Sequence, residues 1–293
     1  MDAIDEPLVP ARVADPSAPA LPAVLAARTA GRPSAGGARH RLWRHTALMR
    51  MEQARRCLSW IGRLAFMAPR DIGLFLKSAQ TDAALGRLRL TQGSRGAFEA
   101  VYTASPDPWA SASTSYKYQH RKYQTLVSLL PAGRRFSRAL DLGCGVGLMS
   151  KLLVPHADEV VGMDIAQAAV SHARAAHGMV GSLTFQQGDV LDLPAALNAR
   201  FDLVVVADVL YYLLPLDDAT LASVALRVAD LLAPDGMCLL ANHFFFAADA
   251  DSRASRRIHR AFAACPRFRV ISEHRRPFYL ATMLAGTPAF PAA

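Results

Sequence analysis

The chain has 293 residues, is 52% hydrophobic and carries a formal net charge of +9, enough for one domain of ordinary size with a full core plus an extension. No apolar run approaches the roughly 18 residues of a membrane-spanning helix. Asp2, Asp5 and Glu6 stand where a secretory leader would be basic, and Cys57, Cys144, Cys238 and Cys265 show no CxxC spacing, so neither a zinc site nor a disulfide framework is indicated and a cytoplasmic location is expected.

Residues 1–38 are rich in Ala, Pro and Gly and read as a disordered tail. Residues 39–92 interleave Leu42, Trp43, Leu48, Met49, Leu58, Trp60, Ile61, Leu64 and Phe66 with arginines, which predicts a basic extension of one or two amphipathic helices broken near Pro69. Such a segment packs on the neighbouring domain, presents a solvated face, touches an anionic membrane surface weakly, or meets a partner macromolecule. Residues 1–97 hold 15 Lys and Arg against 7 Asp and Glu, whereas residues 98–293 hold 18 against 17. The C-terminal two-thirds is therefore nearly neutral, which argues against a nucleic-acid ligand gripped along its phosphates.

From residue 138 strands and helices alternate. The pattern predicts strands over 138–142, 159–164, 183–188, 201–207 and 237–242, with helices over 147–154, 165–177 and 217–232 between them. The apolar run Phe201–Ala207 suits the middle of a parallel sheet. Two further strands, 268–272 and 278–284, lie too close together for a crossover and are expected to pair antiparallel at one edge. The expected fold is a doubly wound α/β sheet of seven strands, mostly parallel, with a C-terminal hairpin, spanning residues 93–285 and followed by a short tail, 286–293.

The turn after the first of these strands reads Asp141-Leu-Gly143-Cys144-Gly145-Val-Gly147, and Asp164 closes the next strand. Glycines let backbone approach a ligand, a helix N-terminus follows, and an acid ending the second strand suits both hydroxyls of a ribose. A dinucleotide fingerprint would need its third glycine at Leu148, so a nicotinamide-dependent oxidoreductase is a minor reading. Asp141 would repel a pyrophosphate and would suit an ammonium. The turn resembles the first motif of class I S-adenosylmethionine-dependent methyltransferases, which are Rossmann-like. That resemblance implies S-adenosyl-L-methionine as cofactor, held by Asp141, Gly143, Cys144, Gly145, Gly147, Asp164 and Ile165. Asp189 and Val190, after the third strand, are placed for the adenine.

Ahead of the sheet stand Phe98 to Tyr102, then Asp107-Pro-Trp109, then Tyr118-Gln-His120-Arg121-Lys122-Tyr123. After the fourth strand comes Asp208-Val-Leu-Tyr211-Tyr212, and His243, Ile258-His259 and Tyr279 follow. Together these resemble the nodulation protein S family of methyltransferases over about residues 96–285. The resemblance implies N-methylation, with an amino sugar or glycan among the small-molecule acceptors. Three departures fall at the expected substrate mouth: Gln119 where the family usually has Glu, His243-Phe-Phe where it has His-Trp-Arg, and Leu280 where an Arg is common.

A neutral amine must meet the methyl group in line and give up a proton. His243 is the first candidate base, with His120 second, Asp208 placed to orient the amine or hold the methionine end, and Tyr211, Tyr212 and Tyr118 able to face a sulfonium. Lys122, with Arg121, could pair with the cofactor's carboxylate. O-methylation on the same fold and a cofactor-retaining binding module remain open. No metal-ligand spacing is visible. A base-directed methyltransferase is disfavoured because the fourth strand ends in Ala207-Asp-Val-Leu and lacks the N/D-P-P-aromatic segment.

Overall fold

The computed structural model describes residues 71–213, 217–244, 250–276 and 278–287. The predicted tail over 1–38, the part of the extension up to residue 70 and the end of the chain from 288 lie outside the described residues.

A seven-stranded sheet forms the centre. In chain order its strands are β1 (Phe136–Leu142), β2 (Ala157–Asp164), β3 (Leu183–Gln187), β4 (Phe201–Ala207), β5 (Leu232–Phe244), β6 (Phe268–Arg276) and β7 (Phe278–Gly286). They lie side by side as β3-β2-β1-β4-β5-β7-β6. The pairs β1–β2, β1–β4, β2–β3 and β4–β5 are parallel. β7 runs antiparallel to both β5 and β6, so the predicted hairpin closes the sheet with its second strand on the inside. This is the expected doubly wound, mostly parallel α/β sheet with an antiparallel C-terminal hairpin. The break from β1 to β4 opens the crevice in which such sheets hold ligands, outside the carboxyl ends of the strands.

Helices cover both faces. Val204 and Val206 of β4 pack with Leu221, Val224 and Val228 of α5 (Asp218–Asp230) and with Ile258 and Phe262 of α6 (Ala250–Ala264). Leu203 and Val205 point the other way, toward Leu126 of α2 (Lys117–Val127), Leu153 of α3 (Leu148–Leu153) and Ala173 of α4 (Gln167–His177). Each large apolar side chain fully buried this way contributes about 1.5–3 kcal/mol, which is why β4 carries its apolar residues without alternation. The Pro234-Asp-Gly236 segment is a break within β5: Leu232 pairs with Phe201, the register shifts, and Met237 then pairs with Leu203.

Ahead of the sheet, α1 (Asp71–Ala104) is interrupted at Gly93, whose φ of 69° and ψ of 178° are not helical. The boundary expected at residue 92 coincides with this break, and α1 is tied to the sheet domain on both sides of it. The buried Asp71 carboxylate accepts from the Lys117 and Tyr118 amides (3.0 and 3.3 Å), capping α2. Glu99 accepts from the Ala168 amide (3.1 and 3.3 Å), giving α4 the cap that Ala166 cannot supply. Among the described residues no helix is long and apolar enough to cross a membrane.

Candidate functional site

The carboxyl ends of β1 to β5 open into one cavity of about 670 Å³. Its floor is the glycine turn. Gly143, Gly145 and Gly147 all have positive φ (72°, 53° and 81°), where an L side chain is strained. A Cβ on Gly143 would overlap the Val209 side chain, and one on Gly145 would sit 2.7 Å from the Tyr102 hydroxyl. The turn is anchored by the Gly143 and Cys144 amides, which donate to the Met163 carbonyl at the end of β2 (2.7 and 3.0 Å).

Asp164 lies beside this turn. Its carboxylate accepts from the Gly145 amide (2.9 Å) and the Ala166 amide (3.0 Å). Burial pushes its pKa up to about 6, although those two amides pull it down. Asp189 lines the cavity at the end of β3, and its Oδ1 accepts from the Leu191 amide (2.9 Å), which holds the loop as a turn. Cys144, Ile165 and Val190 also line the cavity, and burial raises the Cys144 thiol well above its ordinary range. Two carboxylates at the ends of adjacent strands, beside glycines whose Cβ space is already filled, suit a ribose and an attached base.

At the far end β4 delivers Asp208, which has a φ of 60°. This left-handed conformation is strained for a residue with a side chain, and such strain collects at functional sites. Its Oδ2 forms an ion pair with the buried Lys122. Its Oδ1 is buried and has no hydrogen-bond partner among the described residues. His243, Tyr211, Tyr118 and Tyr212 line the same end. The Tyr211 ring centroid is 3.9 Å from that of His243, and Tyr118 meets Phe278 edge-on at 5.4 Å.

Some residues expected at the site stand elsewhere. Asp141 is 1% exposed and is absent from the cavity lining. It accepts from the Ser150 hydroxyl (2.6 Å), and burial pushes its pKa up to about 7. Because successive side chains in a strand alternate, Asp141 ends beneath α3 and cannot meet a ligand above the turn directly. Gly147 shapes the turn without lining the cavity, its Cβ space being filled by Phe185 and His177. His120 faces a separate surface groove that Arg121 also lines, and its ring nitrogen Nε2 bonds to the Ser113 carbonyl (3.0 Å). It lies one face of α2 away from the cavity, so it is not placed to take a proton there. Lys122 does reach the cavity, but its ammonium is engaged by Asp208. His259 is buried between Asn242 and Thr282 (3.2 and 2.7 Å), and burial lowers its pKa to about 3.

Other residues of the site did not stand out in the sequence. Ile72, Phe75, Ala79 and Asp82 of α1 line the cavity, and their spacing of three or four residues, one face of a helix, was the available signal. Asp82 Oδ1 accepts from the Trp109 indole (2.7 Å) and the Tyr212 hydroxyl (2.8 Å). Tyr212, Trp109 and Phe98 pack with ring centroids 5.5–6.1 Å apart. The Asp107-Pro-Trp109 segment is thus a wall: Asp107 caps its own turn through Ser111 and Ala112 (2.8 and 3.0 Å), which aims Trp109 inward.

A family model described as Nodulation protein S (NodS) matches residues 100–263. Nodulation protein S of Rhizobium tropici is 28% identical over 156 residues, covering 52% of this chain and 59% of that protein. The Sinorhizobium fredii (strain NBRC 101917 / NGR234) counterpart is 29% identical over 160 residues, covering 55% of this chain and 68% of that one. The chain therefore spans about three-fifths to two-thirds of the length of these curated relatives. Among solved structures, N-methyltransferase NodS from Bradyrhizobium japonicum WM9 in complex with S-adenosyl-l-homocysteine superposes with a TM-score of 0.54. It is 20% identical and covers 65% of this chain and 96% of the other.

Proposed function

Since the chain belongs to the nodulation protein S family of class I S-adenosylmethionine-dependent methyltransferases, we propose that it transfers the methyl group of S-adenosylmethionine to an amine of a small molecule. The amino-sugar and glycan acceptors implied by the resemblance fall within that class. The observation that carries the reading is Asp164, a cavity-lining carboxylate at the end of β2, held against the glycine turn by the Gly145 amide.

In this reading Asp164 accepts both ribose hydroxyls, Asp189 accepts from the base, and the backbone of Gly143 to Gly145 lies along the nucleoside. When bound, the cofactor supplies a methyl group on a positively charged sulfur; the amine lone pair forms the new N–C bond while the S–C pair returns to sulfur. The chain's own work is to hold the amine in line, exclude water and take a proton. Asp208 orients the amine, Lys122 holds the Asp208 carboxylate in place through their ion pair, and His243 takes the proton lost after transfer. Tyr211, whose ring packs against that of His243 at an inclination of 59°, fixes the imidazole.

Titration calorimetry with S-adenosylmethionine, S-adenosylhomocysteine and NAD tests the reading. Micromolar binding of the first two and none of NAD is expected, and the reverse order of affinities would refute it. The His243→Ala variant should lose turnover by at least about 100-fold while its S-adenosylhomocysteine affinity stays unchanged. Unaltered turnover would remove His243 from the mechanism. The pH dependence follows from Asp164. Ionised, it accepts from two hydroxyls; protonated, it loses one of those places. S-adenosylhomocysteine affinity should therefore be level above about pH 7 and weaken toward tenfold per unit below the Asp164 pKa of about 6. A flat profile from pH 5 to pH 8 would show that this carboxylate is not at the ligand.

A further inference from the structure

The Asp107-Pro108-Trp109 segment is held residue by residue against α1. The Lys77 ammonium donates to the Asp107 carbonyl (3.2 Å) and the Thr81 hydroxyl to the Pro108 carbonyl (2.7 Å). Asp82 Oδ1 then accepts from the Trp109 indole (2.7 Å). Lys77 and Thr81 stand one helical turn apart, so both reach the same neighbour, and Asp82 comes next. The same Asp82 oxygen accepts from the Tyr212 hydroxyl (2.8 Å), 130 residues away. One carboxylate oxygen thus joins the segment ahead of α2 to the segment after β4. The family match begins at residue 100, so it contains both donors and lacks their acceptor.

Each donor is the start of a line of contacts along the cavity wall. Trp109 packs on Tyr102 with ring centroids 5.5 Å apart. The Tyr102 hydroxyl in turn lies over the glycine turn, 2.7 Å from where a Cβ on Gly145 would stand. In the other direction Tyr212 packs on Tyr211 at 4.3 Å, and Tyr211 on His243 at 3.9 Å. All five of these rings line the cavity, and so does Asp82. Aromatic pairs are held in a range of offset and edge-on arrangements, so ring packing alone leaves such a wall free to slide. A hydrogen bond to a carboxylate is directional and stronger than a neutral one. Burial pushes the Tyr212 phenol well above its ordinary range, which keeps it a donor at neutral pH.

Resting on the methyltransferase reading, we propose that Asp82 is a positioning residue of this site. It acts through Trp109 on the wall beside the glycine turn and through Tyr212 on the wall that leads to His243. What the arrangement uses is one acceptor oxygen shared by two donors. Asparagine offers the same oxygen without the charge, and alanine offers neither.

The test uses the full-length chain carrying Trp43→Phe and Trp60→Phe, so that emission reports on Trp109. Asp82→Ala and Asp82→Asn are each added to this parent, and thermal unfolding confirms that all three proteins are folded. Two quantities are read: S-adenosylhomocysteine affinity by calorimetry, and acrylamide quenching of Trp109 without ligand. Asp82→Ala is expected to weaken S-adenosylhomocysteine by at least about tenfold and to increase the quenching. Asp82→Asn should restore most of the affinity and return the quenching to the parent's level. Unaltered affinity in Asp82→Ala would overturn the proposal, even with increased quenching, because Asp82 would then be a structural contact only. Asp82→Asn as damaging as Asp82→Ala would overturn it too, since a lost charge and not a lost acceptor would be the cause. The parent's own binding of S-adenosylhomocysteine tests the cofactor reading separately: no binding there would overturn that reading before any variant is compared.

Discussion

Asp164→Ala is expected to weaken S-adenosylhomocysteine binding by at least about 100-fold. Two hydrogen bonds from ribose hydroxyls to a buried carboxylate are together worth about 3 kcal/mol, which is that factor. The substitution also strips the Gly145 and Ala166 amides of their shared acceptor, so the glycine turn loses its fixed relation to β2. Against this, the variant no longer has to bury a carboxylate that burial already pushes toward neutrality. The relieved burial offsets the lost amide acceptor in stability, whereas the lost hydroxyl acceptor and the loosened turn both weaken binding. The melting temperature should therefore move by only a few degrees while affinity collapses. Asp164→Asn keeps an acceptor for the turn and should fall between, at about tenfold weaker. Calorimetry and thermal unfolding on the three proteins separate these effects. Retained affinity in Asp164→Ala would place the ligand away from the end of β2.

Gly143→Ala should be the most damaging single methyl group added to this fold. At a φ of 72° an alanine is strained by roughly 1–2 kcal/mol, and its Cβ would overlap the Val209 side chain. Relieving that overlap in a packed wall costs a further 1–3 kcal/mol, roughly. For a domain of this size a loss of about 3 kcal/mol lowers the melting temperature by about 6–12 °C. Val209 follows the strained Asp208 and lines the cavity, so its displacement should also weaken S-adenosylhomocysteine. In the double variant Gly143→Ala with Val209→Ala the overlap with the Val209 γ-methyls disappears, leaving the backbone strain and a close contact with the residue 209 Cβ at 3.1 Å, so part of the lost stability should return. A Gly143→Ala protein as stable as the original would show that the turn does not hold this conformation.

Several parts of this molecule were legible from residue order alone, because they rest on local physics. Strand and helix periods, the glycines of the turn and the apolar run of β4 are written within a few residues of one another. The acids Asp164, Asp189 and Asp208 follow from the rule that ligands sit beyond strand ends, and all three line the cavity. What residue order could not decide was which way each side chain faces once its strand is paired. Asp141 belongs to the same motif as Gly143, yet the pleat sends it to Ser150 beneath α3. His120 and Lys122 are two residues apart on one helix, about 200° around its axis by helical geometry, and only Lys122 enters the cavity.

The part of the cavity wall that α1 supplies was hidden for a different reason. Its contacts join Asp82 to Tyr212 across 130 residues and Asp71 to Tyr118 across 47, separations over which no local pattern carries information. Sequence by itself therefore determined the sheet, the glycine turn and the acids at its strand ends, since each is set by neighbours along the chain. Only the tertiary structure decided that Ile72, Phe75, Ala79 and Asp82 of α1 line the cavity and that Lys122 pairs with Asp208, because those depend on which surfaces meet when distant segments pack.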